Sequence, residues 1–131
     1  MLAVDTNVLV RFVVEDDLAQ TQRANALFRR ALAKGGRLFI SDVVLCELVW
    51  VLDGAYRVPR QEIADVLSNL IRSRQVEVND SDIVYNAIEA YQTGKGDFAD
   101  YVIRARALAA GCSRVATFDK KLWSEPGFEK P

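Results

Sequence analysis

Five acidic side chains in this chain stand apart from its solvated charge because of where they fall. Asp5 ends the apolar run Leu2-Ala3-Val4, and Glu47 interrupts an apolar stretch running from Val43 to Leu52. Asp97 and Asp100 lie three apart where a helix begins, and Asp119 ends the run from Cys112 to Phe118. Carboxylates are proton acceptors and hard oxygen ligands. The chain has no histidine, which excludes His-based metal sites, Ser-His and Cys-His nucleophile pairs and imidazole acid–base catalysis. Any metal here is therefore held by carboxylates, which selects a hard ion such as magnesium or manganese.

Each acid also has a purely structural reading. Asp5, Thr6 and Asn7 suit a turn or helix cap. Asp97 with Asp100 fits a capping box, and acids favour helix N-termini through the dipole. Asp119 suits the N-cap of a short terminal helix. Glu47 either marks one exposed stripe of its helix or, if buried, must be paired, metal-bound or turned to a cleft, since an unpaired buried carboxylate costs several kcal/mol.

The elements that position these acids follow from periodicity. Leu2-Ala3-Val4 reads as a buried strand with Asp5 at its carboxyl end, the edge where open α/β sheets bind ligands. Asp16 and Asp17 cap a helix reaching Ala33, which Lys34-Gly35-Gly36 stops. Arg37 to Ile40 forms a second strand, and Ser41-Asp42 caps a helix from Val43 to Tyr56. Pro59 opens another helix from Arg60 to Arg72, followed by a strand from Gln75 to Val78. Asp80-Ser81 caps a helix that Thr93-Gly94-Lys95-Gly96 ends. A helix from Asp97 to Ala110 leads into a last buried strand, Cys112 to Phe118, and an irregular tail around Pro126 and Gly127. Strands alternating with helices predict an α/β fold with a mainly parallel sheet. The hairpin on either side of Tyr56 is apolar enough to suggest a dimer surface.

The 131 residues, half of them hydrophobic, fit one domain over residues 1–131 with ordinary globular composition. No apolar run approaches the roughly 20 residues of a membrane span and the start lacks a signal-peptide pattern, so the reading is cytoplasmic with no membrane partner. Cys46 and Cys112 read as buried free thiols, and Trp50 and Trp123 as core. The net charge of −1 supplies no global field for nucleic acid. Arginines nevertheless come in groups, among them Arg23, Arg29 and Arg30, which leaves a local phosphate-tracking patch open.

In such a sheet, acids after the first and last strands and at helix starts on the same edge converge. Four or five carboxylates without a Lys or His among them need a cation. Two divalent ions about 4 Å apart, clamped by shared carboxylates, are a known solution for splitting phosphodiesters. Val-Asp-Thr-Asn-Val-Leu at the start, Glu47 in Leu-Cys-Glu-Leu-Val-Trp-Val-Leu, Asp97-Phe-Ala-Asp100 and Val-Ala-Thr-Phe-Asp119 together resemble a PIN-domain ribonuclease. Within that superfamily the resemblance is to the VapC toxins of bacterial and archaeal type II toxin–antitoxin systems, and it runs from Leu2 to about Phe128.

The resemblance implies a three-layer α/β/α fold, a homodimer through the helical hairpin, and inhibition by a small VapB-type antitoxin. It also implies an endoribonuclease dependent on Mg2+ or Mn2+ and acting on tRNA or ribosomal RNA. By matching positions, Asp5, Glu47, Asp100 and Asp119 bind metal, with Asp97 assisting. Thr6 and Thr117, adjacent to acids, would orient the site, and Asn7 would brace the loop after the first strand.

Two other readings compete. A haloacid-dehalogenase-like phosphatase also begins with a strand ending in Asp, but it expects a second Asp where Asn7 stands. A non-catalytic PIN-like module binding RNA or protein has no reason to keep mutually repelling carboxylates, and the fold alone does not decide the matter.

Overall fold

The 3.6-period stretches form helices, and each short apolar run between them forms a strand shorter than the run itself. The structure is a computed structural model describing residues Met1–Pro131. It comprises two compact units, Met1–Ser81 and Asp82–Pro131.

In the first unit, β1 (Leu2–Ala3), β2 (Leu38–Ile40) and β3 (Val76–Val78) form a parallel sheet in the order β1-β2-β3. Leu2 lies opposite Leu38, and Leu38 opposite Val76. Parallel neighbours require a crossover. Here each crossover is a helix pair: α1 (Thr6–Val13) and α2 (Leu18–Leu32), then α3 (Asp42–Gly54) and α4 (Arg60–Arg72). The inner face of α3, Leu45, Leu48, Val49 and Leu52, and the inner face of α4, Ile63, Ala64 and Leu67, are almost wholly buried. Truncating any one of these leucines to Ala costs about 2–5 kcal/mol. Phe12 of α1 meets Phe28 of α2 edge-on, with ring centroids 4.7 Å apart.

Two features of this unit differ from the sequence reading. β1 is not a buried strand: Leu2 and Ala3 are exposed, and burial begins at Val4. Beyond it α1 is a helix that periodicity did not reveal, because Val8, Val10 and Val13 are β-branched and weaken the helical signal. It forms because Asp5 caps it and because Leu9 and Val10 are buried.

The second unit holds α5 (Ser81–Thr93, entered from the end of the first unit), α6 (Phe98–Ala109), and a separate parallel pair, β4 (Val115–Ala116) and β5 (Phe128–Glu129). The buried strand expected over Cys112 to Phe118 is therefore only two residues long, and Phe118 is 86% exposed. The tail, expected to be irregular, supplies β5: Val115 N–H donates to the Gly127 carbonyl at 2.8 Å and Thr117 N–H to that of Glu129 at 3.1 Å. Phe98 and Tyr101 are fully buried. Tyr91 and Tyr101 meet Phe98 and Phe128 respectively in edge-to-face contacts. Arg104 lies over the Tyr101 and Phe128 rings at 5.1 and 5.3 Å and donates to the Pro126 carbonyl.

The thiols are not both buried: Cys46 is half-buried and Cys112 exposed, and neither forms a disulfide. Trp50 is 53% exposed rather than core. No helix is long and apolar enough to cross a membrane.

Candidate functional site

In the first unit Asp5 follows β1 and is the N-cap of α1, its Oδ1 accepting the Val8 N–H at 3.2 Å. Thr6, the first helical residue, is buried. Asn7 is exposed in the first turn of α1. Glu47 lies mid-way along α3 and is exposed, on the same helical stripe as the exposed Val43 and Trp50. This is the exposed-stripe arrangement rather than a buried acid. The buried acid of this unit is Asp42, 5% exposed, at the start of α3. Its N–H donates to Asn79 Oδ1 at 2.8 Å, and Asn79 Nδ2 donates back to its carboxylate at 3.3 Å. That pair joins the end of β2 to the end of β3.

In the second unit Asp97 and Asp100 close a reciprocal capping box at the start of α6. Asp97 Oδ1 also accepts the Phe98 N–H at 2.9 Å. Asp119 caps the short turn Lys120–Leu122 through the Lys121 N–H at 3.1 Å, with the Lys121 ammonium 3.8 Å from its other oxygen. Thr117 Oγ1 accepts the Asp119 N–H at 3.1 Å and so fixes the backbone that carries this acid. Its carbonyl in turn accepts the Trp123 indole N–H at 2.7 Å.

These three acids bear on one another. Burial raises the Asp100 carboxyl above its ordinary range, and the charges of Asp97 and Asp119 raise it further. The hydrogen bond from the Asp97 N–H and the charge of Lys121 oppose that shift. Two negative neighbours acting on a half-buried third carboxylate create a site of negative potential, which a proton or a cation relieves.

The loop before Asp97 is held by residues that spacing alone did not single out. Tyr101 Oη accepts the Gly96 N–H at 2.8 Å and donates to Glu125 Oε1 at 2.7 Å, while Glu125 Oε2 accepts the Lys95 N–H at 3.1 Å. A Cβ on Gly94 would overlap the Tyr101 hydroxyl, and one on Gly96 would come 2.6 Å from Leu122 Cδ2. Both glycines are thus required by close approach. Tyr101 and Glu125 are 24 residues apart, beyond the reach of any local pattern.

The donor set suits a hard divalent cation in kind: it is all oxygen, without imidazole or thiolate. Asp5 and Asp119 each use one oxygen to cap a helix, and a carboxylate has about four lone-pair sites, so capping does not exhaust them. The side chains as placed form no group of three or more acids or cysteines around a common ion position.

A family model described as PIN domain matches residues 2–128, almost the whole chain. The chain belongs to the PIN domain family. With that membership the α/β/α fold class follows, and the strand pairings are all parallel, as the alternation of elements predicted. The chain is also similar to a VapC ribonuclease of Aquifex aeolicus (strain VF5), at 26% identity over 121 residues, covering 92% of this chain and 89% of that protein.

Proposed function

We propose that this PIN domain is a metal-dependent endoribonuclease acting as a VapC-type toxin, cleaving tRNA or ribosomal RNA in the cytoplasm and so arresting translation. The observation that carries this reading is the mutual placement of Asp97, Asp100 and Asp119, where the first and last of the three raise the proton affinity of the second. The similarity to a VapC ribonuclease supports it independently. By the positions that match the family's motif, Asp5, Glu47, Asp100 and Asp119 are the proposed ligands of Mg2+ or Mn2+, with Asp97 assisting. When bound, such an ion supplies Lewis acidity toward the attacking water and the departing oxygen.

The chain's own residues do the positioning. Asp5, at the head of α1, and Asp100, in the first turn of α6, stand on helix starts rather than on flexible loops, which limits their motion. Thr117 fixes Asp119 through its backbone, and Tyr101 with Glu125 fixes the loop that leads to Asp97. Thr6, adjacent to Asp5, helps shape the same end of α1. A VapB-type antitoxin restrains the activity, and the chain pairs with a second copy through the α3–α4 hairpin.

The test is to incubate the purified chain, freed of co-purifying antitoxin, with total tRNA and ribosomal RNA in Mg2+ or Mn2+. Chelator and Asp5→Asn serve as controls. Discrete fragments that require both metal and Asp5 support the assignment. Intact RNA in the presence of folded, metal-loaded protein favours a binding module instead.

A further inference from the structure

A cleft of about 440 Å³ opens between α1 and α2, lined at one end by the first turn of α1, which Asp5 caps. Asn7 and Val8 line its near end, and the Val8 N–H is the group that donates to the Asp5 carboxylate. Arg11 lies one turn further along α1, and Arg23, Leu27 and Arg30 line the cleft from α2. No acidic residue lines it.

The three guanidinium groups are not equivalent. Arg11 is committed, with Asp16 at 2.8 Å and the Tyr56 hydroxyl at 3.2 Å. Arg23 and Arg30 are exposed and have no ion-pair or hydrogen-bond partner. Seven residues apart, they stand two turns apart on one face of α2, separated by about 10 Å along its axis.

We propose that this cleft binds the phosphodiester backbone of single-stranded RNA and carries the strand to Asp5, with Arg23 and Arg30 each holding a phosphate. The inference rests on the ribonuclease reading above and adds to it the route by which substrate is held. A net charge of −1 gives no overall attraction for RNA, so affinity must come from local cations. Acids at the reacting centre repel the flanking phosphates, and fixed positive charge is needed next to them. Guanidinium forks match phosphate oxygens in a bidentate manner, and unpaired ones need not first break an ion pair. The exposed Asn7 amide adds a neutral hydrogen-bonding group between the arginines and Asp5, of the kind that meets sugar and phosphate oxygens.

The experiment uses the full chain as wild type, Arg23→Gln, Arg30→Gln, the double Gln variant and the double Lys variant, each checked by thermal melting. Binding of a labelled, unstructured RNA oligomer is measured in chelator across a salt series, and cleavage is measured separately in Mg2+. Two lost phosphate contacts flatten the dependence of log K on log salt by about 1.4, at about 0.7 per contact on single strands. The Gln variants raise KM with kcat retained, and the Lys variant recovers most of the salt slope. Wild-type slope and KM in the double Gln variant overturn the inference while leaving the nuclease reading intact. So does a double variant that handles RNA normally but loses a co-purifying protein, which would make the cleft a protein-binding surface. A wild type that binds this oligomer with the full salt slope yet cleaves neither total tRNA nor ribosomal RNA in Mg2+ overturns the nuclease reading and leaves the cleft as an RNA-binding surface.

Discussion

Asp100 Oδ2 accepts the Asp97 N–H at 2.8 Å while the Asp97 carboxylate accepts the Asp100 N–H, so the two acids hold each other at the head of α6. The pair is a structural cap and a concentration of negative charge at once. The two roles separate on substitution, because an amide keeps the acceptor oxygen and loses the charge.

Asp100→Asn is therefore expected to fold normally and to lower metal-dependent cleavage by more than about 100-fold, since even outer-shell partners of a metal cost 10–100-fold. Its stability has a sign that follows from the raised Asp100 carboxyl. A group whose pKa is higher folded than unfolded contributes stability while protonated and loses it as pH rises through the folded value. In chelator, the variant should match wild type in acid and become the more stable of the two as pH rises through the Asp100 titration. Melting curves from acid to neutral pH check this, and a variant less stable at neutral pH contradicts it.

At Asp5 the same separation uses two variants. Asp5→Asn keeps an oxygen for the Val8 N–H and should retain the melting temperature while abolishing cleavage. Asp5→Ala removes the cap as well and should cost about 1 kcal/mol further. Full cleavage by either variant would remove Asp5 from the site.

Much of this was legible in the chain because capping chemistry and strand punctuation are local. The limits of α2, α3, α4 and α6 follow from Asp17, Ser41, Pro59 and Asp97 to within a residue or two. The same locality hid the rest. Asp5, Asp97 and Asp119 look alike as caps and as ligands, and they are caps here whatever else they do. The run from Cys112 to Phe118 is apolar enough for a strand, yet only Val115 and Ala116 find a partner, which lies in the tail. Once that strand shortens, Cys112 and Phe118 are left exposed.

Tyr101→Phe tests the loop support. It deletes the hydroxyl that meets Gly96 and Glu125, leaving a buried N–H and a carboxylate without that partner. The expected loss is about 1–3 kcal/mol of stability. If the loop positions Asp97, cleavage should also fall, with the variant needing more Mg2+ to reach half its maximum. A destabilised variant with unchanged metal dependence would confine Tyr101 to a structural role.

Trp50 and Val43 flank Glu47 on the exposed stripe of α3, and large exposed apolar side chains of this kind mark interfaces. The hairpin that carries them is the proposed contact with a second copy. Trp50→Glu should shift the chain from dimer to monomer in light scattering over a concentration series. The effect expected for a central aromatic anchor is at least about 2 kcal/mol, roughly 30-fold in the dissociation constant. Because Trp50 is not part of the buried core, the monomer should melt as a folded protein. A dimer of unchanged affinity would move the interface off this stripe.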